Sequence, residues 1–293
     1  MRARYPDTRG HVERAGVRIG YEVFGSGEPT VLLLPTWTIV HSRFWKLQVP
    51  YLSRRHRVIT YDGPGNGNSD RATDPARYSA DSYAADAVAV LDACGVDRAL
   101  VVGLSLGAAY AVRLAGLHPR RVLGLVLVGP SIPLSPPVPE RARIVERFLE
   151  PYPDEPHGWE RYNASYWLDH YADFTQFFFR QCLPEAHSTK PREDAVEWAS
   201  ETHPEVLIAD AHKPSLEDAA GLTWPEAVAG VDCPTLVVHG TEDRIQPYDN
   251  GVEAARLTGG TLVSMEGSGH MPNLRDPVRF NLLLRDFLTG LAP

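Results

Sequence analysis

The chain has 293 residues, of which 43% are hydrophobic, and its formal net charge at pH 7 is −8. A chain of this size buries a core that needs no disulfide bonds, and its three cysteines lack metal-ligand spacing. The acidic balance argues against nucleic-acid binding, which depends on clustered lysine and arginine. No signal-peptide pattern and no run of 18 apolar residues occurs. We therefore expect a cytoplasmic protein with no metal, organic cofactor or membrane partner.

The beginning of the chain predicts a β-hairpin and two buried strands. Residues 11–24 alternate between apolar and polar side chains, and Ala15-Gly16 supplies a turn. The runs Val31–Leu34 and Arg57–Asp62 are short and almost continuously apolar. Such runs are typical of parallel strands that are covered on both faces.

The next segments alternate between helix and strand. Residues 79–93 have the apolar spacing of a helix, for which Ser79 and Asp81 are candidate N-caps. Apolar strands are predicted at Ala99–Val102 and Val122–Val128. This alternation predicts an α/β fold with a doubly wound, mostly parallel sheet and right-handed connections.

The alternation stops at Pro130 and resumes at Pro234. Residues 131–139 are rich in proline, and the chain that follows is rich in charged and aromatic residues. Proline cannot continue a helix or a central strand. We therefore predict a core domain of residues 1–130 and 223–293, with a mostly helical lid inserted at residues 131–222.

A nucleophile motif stands between a predicted strand and a predicted helix. The pentapeptide Gly103–Gly107 reads Gly-Leu-Ser-Leu-Gly and is followed by the helix-compatible run 108–115. This is the context of the G-x-S-x-G turn, in which a strained serine is held at the top of a sheet. Ser105 is therefore the predicted nucleophile.

Two further loops supply a base and an acid in the order that such a serine requires. His270 follows the strand-like run Thr261–Met265, and Asp243 follows the run 234–240. The carboxyl ends of parallel strands are where an open α/β sheet places its active site. His270 is the predicted base and Asp243 the predicted acid, with Glu242 as a rival for the acid.

These motifs together resemble the α/β-hydrolase fold family of the Ser-His-Asp type, in particular bacterial esterase-like members with a helical lid. The resemblance extends over residues 17–288 and rests on four motifs, which are the Asp62–Ser69 turn, the Gly103–Gly107 elbow, the Gly240-x-x-Asp243-x-x-x-Pro247 loop and Gly269-His270. It implies the fold, the catalytic triad and esterase-like chemistry. It also implies that Asp62 is structural and bonds loop amides below the site.

The oxyanion hole requires two backbone N–H groups. One is expected from Leu106, the residue after the nucleophile. The resemblance implies that the other comes from Trp37. The family's loop commonly begins His-Gly, whereas this chain has Pro35-Thr36, so Thr36, Thr38 or His41 could rebuild the hole instead.

The predicted lid carries many aromatic residues, most of which we expect to pack it onto the core. A minority are expected to line an apolar acyl or alcohol pocket. The residues that we predict to bind substrate are Trp37, His41, Tyr166, Trp167, Phe178 and Met271.

The predicted function is that of a carboxylic ester hydrolase that works through an acyl-enzyme on a medium-to-bulky apolar small molecule. The same triad serves lactone, thioester or amide hydrolysis, carbon–carbon bond hydrolysis and perhydrolysis, and the sequence does not separate these. A ligand-binding or receptor-like protein with little turnover is the alternative of another class, favoured by the altered loop at Pro35-Thr36 and opposed by the intact triad. We expect a monomer or a homodimer.

Overall fold

The computed structural model of the protein describes residues 4–144 and 146–291, so residues 1–3 and 292–293 of the predicted core domain and residue 145 of the predicted lid lie outside it. Within the described part, eight strands form one sheet. These strands are β1 Thr8–Arg14, β2 Val17–Phe24, β3 Val31–Leu33, β4 Val58–Tyr61, β5 Ala99–Leu104, β6 Val122–Val128, β7 Thr235–Gly240 and β8 Thr261–Met265.

The sheet has the order β1-β2-β4-β3-β5-β6-β7-β8. The six strands from β4 to β8 in that order are parallel, whereas β1 and β2 pair in antiparallel fashion at one edge. From β3 the chain first adds β4 on one side and then β5, β6, β7 and β8 in succession on the other. The predicted doubly wound, mostly parallel α/β sheet is therefore confirmed.

Helices cover both faces of the sheet. Within the described residues the α-helices are α1 Val49–Leu52, α2 Ala80–Ala93, α3 Leu106–Leu117, α4 Ala164–Cys182, α5 Thr189–Ala199, α6 Pro204–Ala211, α7 Leu216–Ala220, α8 Trp224–Ala229, α9 Tyr248–Thr258, α10 Pro272–Arg275 and α11 Pro277–Leu291. None of these helices is long and apolar enough to cross a membrane.

The central strands are apolar throughout because both of their faces are buried. Val31 and Leu33 belong to an apolar cluster that also holds side chains of α4 and α11. Leu32 and Leu34 point the other way, into a cluster with α2 and α3. Successive side chains of a strand point to opposite faces, so two core layers require a continuous apolar run.

The first hairpin and the first long helix form as predicted. Ala15 and Gly16 have φ values of +49° and +73°, as a two-residue turn of type I′ requires, and Arg14 pairs with Val17 across it. At the start of α2, the Ser79 side chain accepts a hydrogen bond of 3.2 Å from the Ser82 N–H. Ser79 is thus the N-cap.

The predicted lid, residues 131–222, leaves the sheet after β6. Helices α4 to α7 lie within it, whereas the described residues of 131–163 form only short 3₁₀ turns and loops. Helix α4 is interrupted at His170, whose φ of −137° is not helical. The aromatic side chains of α4 join the apolar cluster that contains β3 and β5. The division of the chain into core and lid stays a prediction.

Asp62, directly after β4, organises the loops beneath the carboxyl end of the sheet. Its Oδ1 accepts a hydrogen bond of 2.9 Å from the Ser42 N–H, and its Oδ2 accepts one of 2.8 Å from the Asn68 N–H. The Asp62 side chain is buried, and it contacts neither Ser105 nor His270 through a hydrogen bond. It therefore has the structural position that the resemblance implies.

Replacing Asp62 with alanine should lower the free energy of unfolding by about 3 kcal/mol, because the buried Ser42 N–H and the partly buried Asn68 N–H lose a charged acceptor. Urea unfolding followed by circular dichroism measures this change. Asp97→Ala, at an exposed position before β5, is the matched control and should change stability by less than about 0.5 kcal/mol. Equal effects of the two substitutions would contradict the assignment.

Candidate active site

Ser105 lies in the sharp turn between β5 and α3. Its φ of +57° and ψ of −119° are a strained conformation for a residue with a side chain. The turn holds because the Ser105 N–H donates a hydrogen bond of 2.8 Å to the Val128 carbonyl on β6. A Cβ atom on Gly103 would lie 2.1 Å from the Gly107 carbonyl oxygen, and one on Gly107 would lie 2.4 Å from that of Pro35. Both glycines of the motif are therefore required by close backbone contacts.

Asp243 and His270 meet at the ends of β7 and β8. His270 Nδ1 donates a hydrogen bond of 2.7 Å to Asp243 Oδ2. The other carboxylate oxygen, Oδ1, accepts bonds from the N–H groups of Ile245 at 2.7 Å and Gln246 at 2.9 Å. Glu242 is exposed, whereas the Asp243 side chain is fully buried. The structure thus brings Asp243, and not Glu242, against the histidine.

A second histidine, His239, also binds the acid. It is the fifth residue of β7, is fully buried, and its Nε2 donates to Asp243 Oδ2 over 3.1 Å. Its other nitrogen, Nδ1, has no hydrogen-bond partner, which fits a neutral ring protonated at Nε2. His239 was not predicted from the sequence, although its position beside Gly240 at the end of a strand is a signal for a residue close to the acid loop.

The electrostatic environment keeps Asp243 ionised. Burial alone would raise the pKa of the Asp243 carboxyl, but the charge of His270 and hydrogen bonds from His239 and His270 outweigh burial. The pKa of Asp243 therefore lies well below its ordinary value. An ionised acid of this kind orients the imidazole and stabilises its protonated form.

Ser105 and His270 line the same cavity without a hydrogen bond between the serine hydroxyl and the imidazole. Because Nδ1 of His270 is bonded to Asp243, Nε2 on the opposite side of the ring is the nitrogen left to act as base. Catalytic hydrogen bonds are often long in a protein without substrate and shorten when the substrate binds. The predicted triad residues therefore lie close together, with the Asp243–His270 contact made and the Ser105–His270 contact not made.

The two expected oxyanion donors also lie on the cavity wall. Leu106 is the first residue of α3, so no carbonyl one turn earlier accepts its N–H. Trp37 lies on the loop after β3, which is fixed by bonds from Asn66 Nδ2 to the carbonyls of Thr38 at 2.8 Å and Val40 at 2.7 Å. The loop that departs from His-Gly is therefore held in place by side chains outside it.

The cavity above Ser105 has a volume of about 170 Å³. Of the predicted substrate-binding residues, Trp37, Phe178 and Met271 line it. Its wall is mainly apolar, with polar side chains from the lid and the acid loop. The lining residues are Thr36, Trp37, Ile39, Val40, Leu104, Ser105, Leu106, Ser131, Arg141, Tyr162, Phe178, Phe179, Cys182, Ala211, Lys213, Ile245, Gln246, His270 and Met271.

Three predicted substrate-binding residues, His41, Tyr166 and Trp167, do not line this cavity. His41 is buried with its Nε2 3.4 Å from Glu201. The Tyr166 hydroxyl donates a hydrogen bond of 2.7 Å to Asp173 Oδ2. Trp167 is fully buried behind Trp37, with 5.8 Å between the ring centres. Each side chain is held by partners of its own, so none is directed at the nucleophile.

Several lining residues were not predicted. Arg141 and Tyr162 come from the loops and 3₁₀ turns before α4, and Gln246 comes from the acid loop. Irregular segments carry no periodicity that would show which side chains face inward.

Among the described residues, no group of three or more histidine, cysteine, aspartate or glutamate side chains could hold a metal ion.

Comparison with known proteins places this geometry in a family. The family model described as alpha/beta hydrolase fold matches residues 29–277. A 2-hydroxymuconate semialdehyde hydrolase from Pseudomonas sp. (strain CF600) is 30% identical over 97% of this chain and 94% of its own. A solved structure of an enzyme that degrades N-acyl homoserine lactones is 28% identical, with a TM-score of 0.71 over 95% of this chain and 100% of that one.

A solved esterase from Rhodococcus sp. ECU1013 shares the fold, with a TM-score of 0.76 and 24% identity over 96% of this chain and 98% of that one. The family match covers most of the chain and includes all three triad positions. The strand order, the elbow and the Asp243–His270 pair agree with that match. The chain therefore belongs to the α/β-hydrolase fold family.

Proposed function

We propose that the protein is a serine hydrolase that cleaves a carboxylic ester through an acyl-enzyme. The observation that carries the proposal is a strained serine on a nucleophile elbow that shares one cavity with a buried histidine–aspartate pair. Each of the three residues lies at the carboxyl end of a parallel strand. This constellation is the one that activates a serine hydroxyl for attack on a carbonyl carbon.

In the first half of the reaction, Ser105 Oγ attacks the ester carbonyl while His270 Nε2 takes the serine proton. The imidazolium that forms is stabilised by Asp243, to which it remains hydrogen-bonded. His270 then returns the proton to the alcohol oxygen as the carbon–oxygen bond breaks. The alcohol leaves, and the acyl group remains on Ser105.

In the second half, a water molecule gives a proton to His270 and attacks the acyl carbon, and His270 then passes that proton to Ser105 Oγ as the acyl–oxygen bond breaks and the acid leaves. Negative charge develops on the carbonyl oxygen in both halves. The N–H groups of Leu106 and Trp37 are the proposed donors to it. Loss of one such donor typically costs 100- to 1,000-fold in kcat.

The cavity supports a medium-sized acyl or alcohol group. Aromatic walls at Trp37, Tyr162 and Phe178 favour an apolar portion of the substrate. A volume of about 170 Å³ is smaller than the roughly 300 Å³ at which drug-sized ligand pockets begin. We therefore favour medium over bulky groups within the range that the sequence suggested.

Lactone hydrolysis and carbon–carbon bond hydrolysis are the second candidates. They are favoured by similarity over nearly the full chain to a lactone-degrading enzyme and to a semialdehyde hydrolase. The same triad serves all three reactions, so the geometry does not rank them. Substrate trials with an ester, a lactone and a diketone of equal chain length distinguish them.

Hydrolysis of p-nitrophenyl esters from acetate to octanoate tests the ester proposal. We expect turnover that peaks at intermediate chain length, and a loss of at least about 10,000-fold in kcat for Ser105→Ala, because no nucleophile remains. Labelling by a fluorophosphonate should occur in the wild type and disappear in the variant. Absence of both turnover and labelling would favour the ligand-binding alternative.

Replacement of His239 tests its role as a positioning residue. His239→Leu removes one of two N–H donors to Asp243 Oδ2, so protonated His270 gains a stronger interaction with the acid. The acid limb of the kcat/KM profile should therefore move to higher pH, and kcat should fall about tenfold. His239→Gln retains a donor at a similar reach and should restore much of the rate. An unchanged pH profile in His239→Leu would rule this role out.

A further inference from the structure

The charged groups on the cavity wall are all basic. Among the described residues that line it, there is no aspartate or glutamate, whereas Arg141 and Lys213 both contribute. The charge of Lys213 is compensated, because its ammonium lies 2.7 Å from Asp210 Oδ1. The remaining positive charge on this wall is that of Arg141.

Arg141 stands at the end of a 3₁₀ turn, Pro139–Arg141, close to the acid loop. Its Nη1 donates a hydrogen bond to the Ile245 carbonyl, and its guanidinium carbon lies 4.7 Å from the centre of the Trp159 ring. Its Nε is shielded from solvent and has no hydrogen-bond partner. Among the carboxylates whose side chains the structure describes, none forms an ion pair with Arg141.

Asp243 is the carboxylate whose charge acts on Arg141, and both of its oxygens already accept hydrogen bonds from other groups. Asp243 accepts hydrogen bonds from two histidines and two backbone N–H groups. A guanidinium that is removed from water without a counter-ion is costly, and burial lowers the pKa of Arg141. A charge of this kind on a ligand cavity is compensated once an anionic ligand binds.

We propose that the substrate carries a free carboxylate, which Arg141 binds while the ester carbonyl lies at Ser105. Nη1 is bonded to the Ile245 carbonyl and Nε is shielded, so Nη2 is the donor that is left to bind a carboxylate oxygen in the cavity. Gln246 Nε2 donates to Ser131 Oγ over 3.0 Å, so the Ser131 hydroxyl can donate its own hydrogen to the same anion. A monoester of a dicarboxylic acid carries both groups, an ester carbonyl for Ser105 and a free carboxylate for Arg141.

The inference rests on the proposed function for the position of the ester, but binding can be tested without turnover. In the Ser105→Ala background, calorimetry measures the Kd of monoethyl esters of the dicarboxylic acids from succinic to suberic. Ethyl esters of monocarboxylic acids with the same number of carbons serve as neutral partners. We expect the best monoester to bind about 10- to 100-fold more tightly than its neutral partner.

Arg141 variants connect that preference to the guanidinium. Arg141→Gln should bring the ratio between the two Kd values close to one. Arg141→Lys should retain part of the preference for the charged ester, because the charge remains while the guanidinium geometry is lost. Arg143→Gln, an exposed position two residues away, removes the same charge and should leave the ratio unchanged. Melting temperatures confirm that each variant is folded.

The outcomes separate this inference from the proposed function. Equal binding of charged and neutral esters, no binding by any monoester of the series, or a preference that survives Arg141→Gln would overturn the carboxylate site. Each of these results leaves ester hydrolysis by Ser105 to be judged from the p-nitrophenyl series. Failure of that series, together with tight binding of a monoester that depends on Arg141, would overturn the reaction and retain the site.

Discussion

The active site depends on the compensation of one buried negative charge, that of Asp243. Its two oxygens accept four hydrogen bonds, from two histidine rings and from two N–H groups of its own loop. These bonds connect β7, the loop after β7 and the loop after β8. The Asp243 carboxylate therefore fixes the position of His270 relative to the sheet. Gly129, directly after β6, leaves room for the His270 ring. A Cβ atom at this position would lie 3.2 Å from His270 Nδ1.

The predicted lid contacts the His270 loop as well as lining the cavity. The His270 N–H donates to the Cys182 carbonyl at the end of α4 over 2.9 Å, and the Gly269 N–H donates to Glu185 Oε1 over 2.6 Å. A Cβ atom on Gly269 would lie 2.3 Å from Pro184. Gly269, directly before His270, is therefore required by the close approach of the predicted lid. A movement of this part of the lid would also move the base.

The parts of the site that could be predicted from the sequence are those governed by local backbone chemistry. The elbow, the Ala15-Gly16 turn and the loops after β7 and β8 each combine a turn signal with an adjacent apolar strand. Of the side chains of the predicted lid that line the cavity, Phe178 was predicted, whereas Arg141, Tyr162 and Phe179 were not. Helix α4 is interrupted at His170, so a single helical period does not relate Tyr166 to Phe178. Arg141 lies in an irregular segment, where only tertiary packing determines its direction.

The unpaired guanidinium and the triad are connected by the electrostatics of a small, mainly apolar cavity. A substrate with a free carboxylate would bring one negative charge into the cavity, and attack by Ser105 would create a second on the carbonyl oxygen. Two such charges repel each other strongly where little water is present to screen them. A cation bound to the first charge removes most of that repulsion, so the backbone N–H groups of the oxyanion hole need to stabilise only the second. An arginine suits this task because it keeps its proton even when burial lowers its pKa.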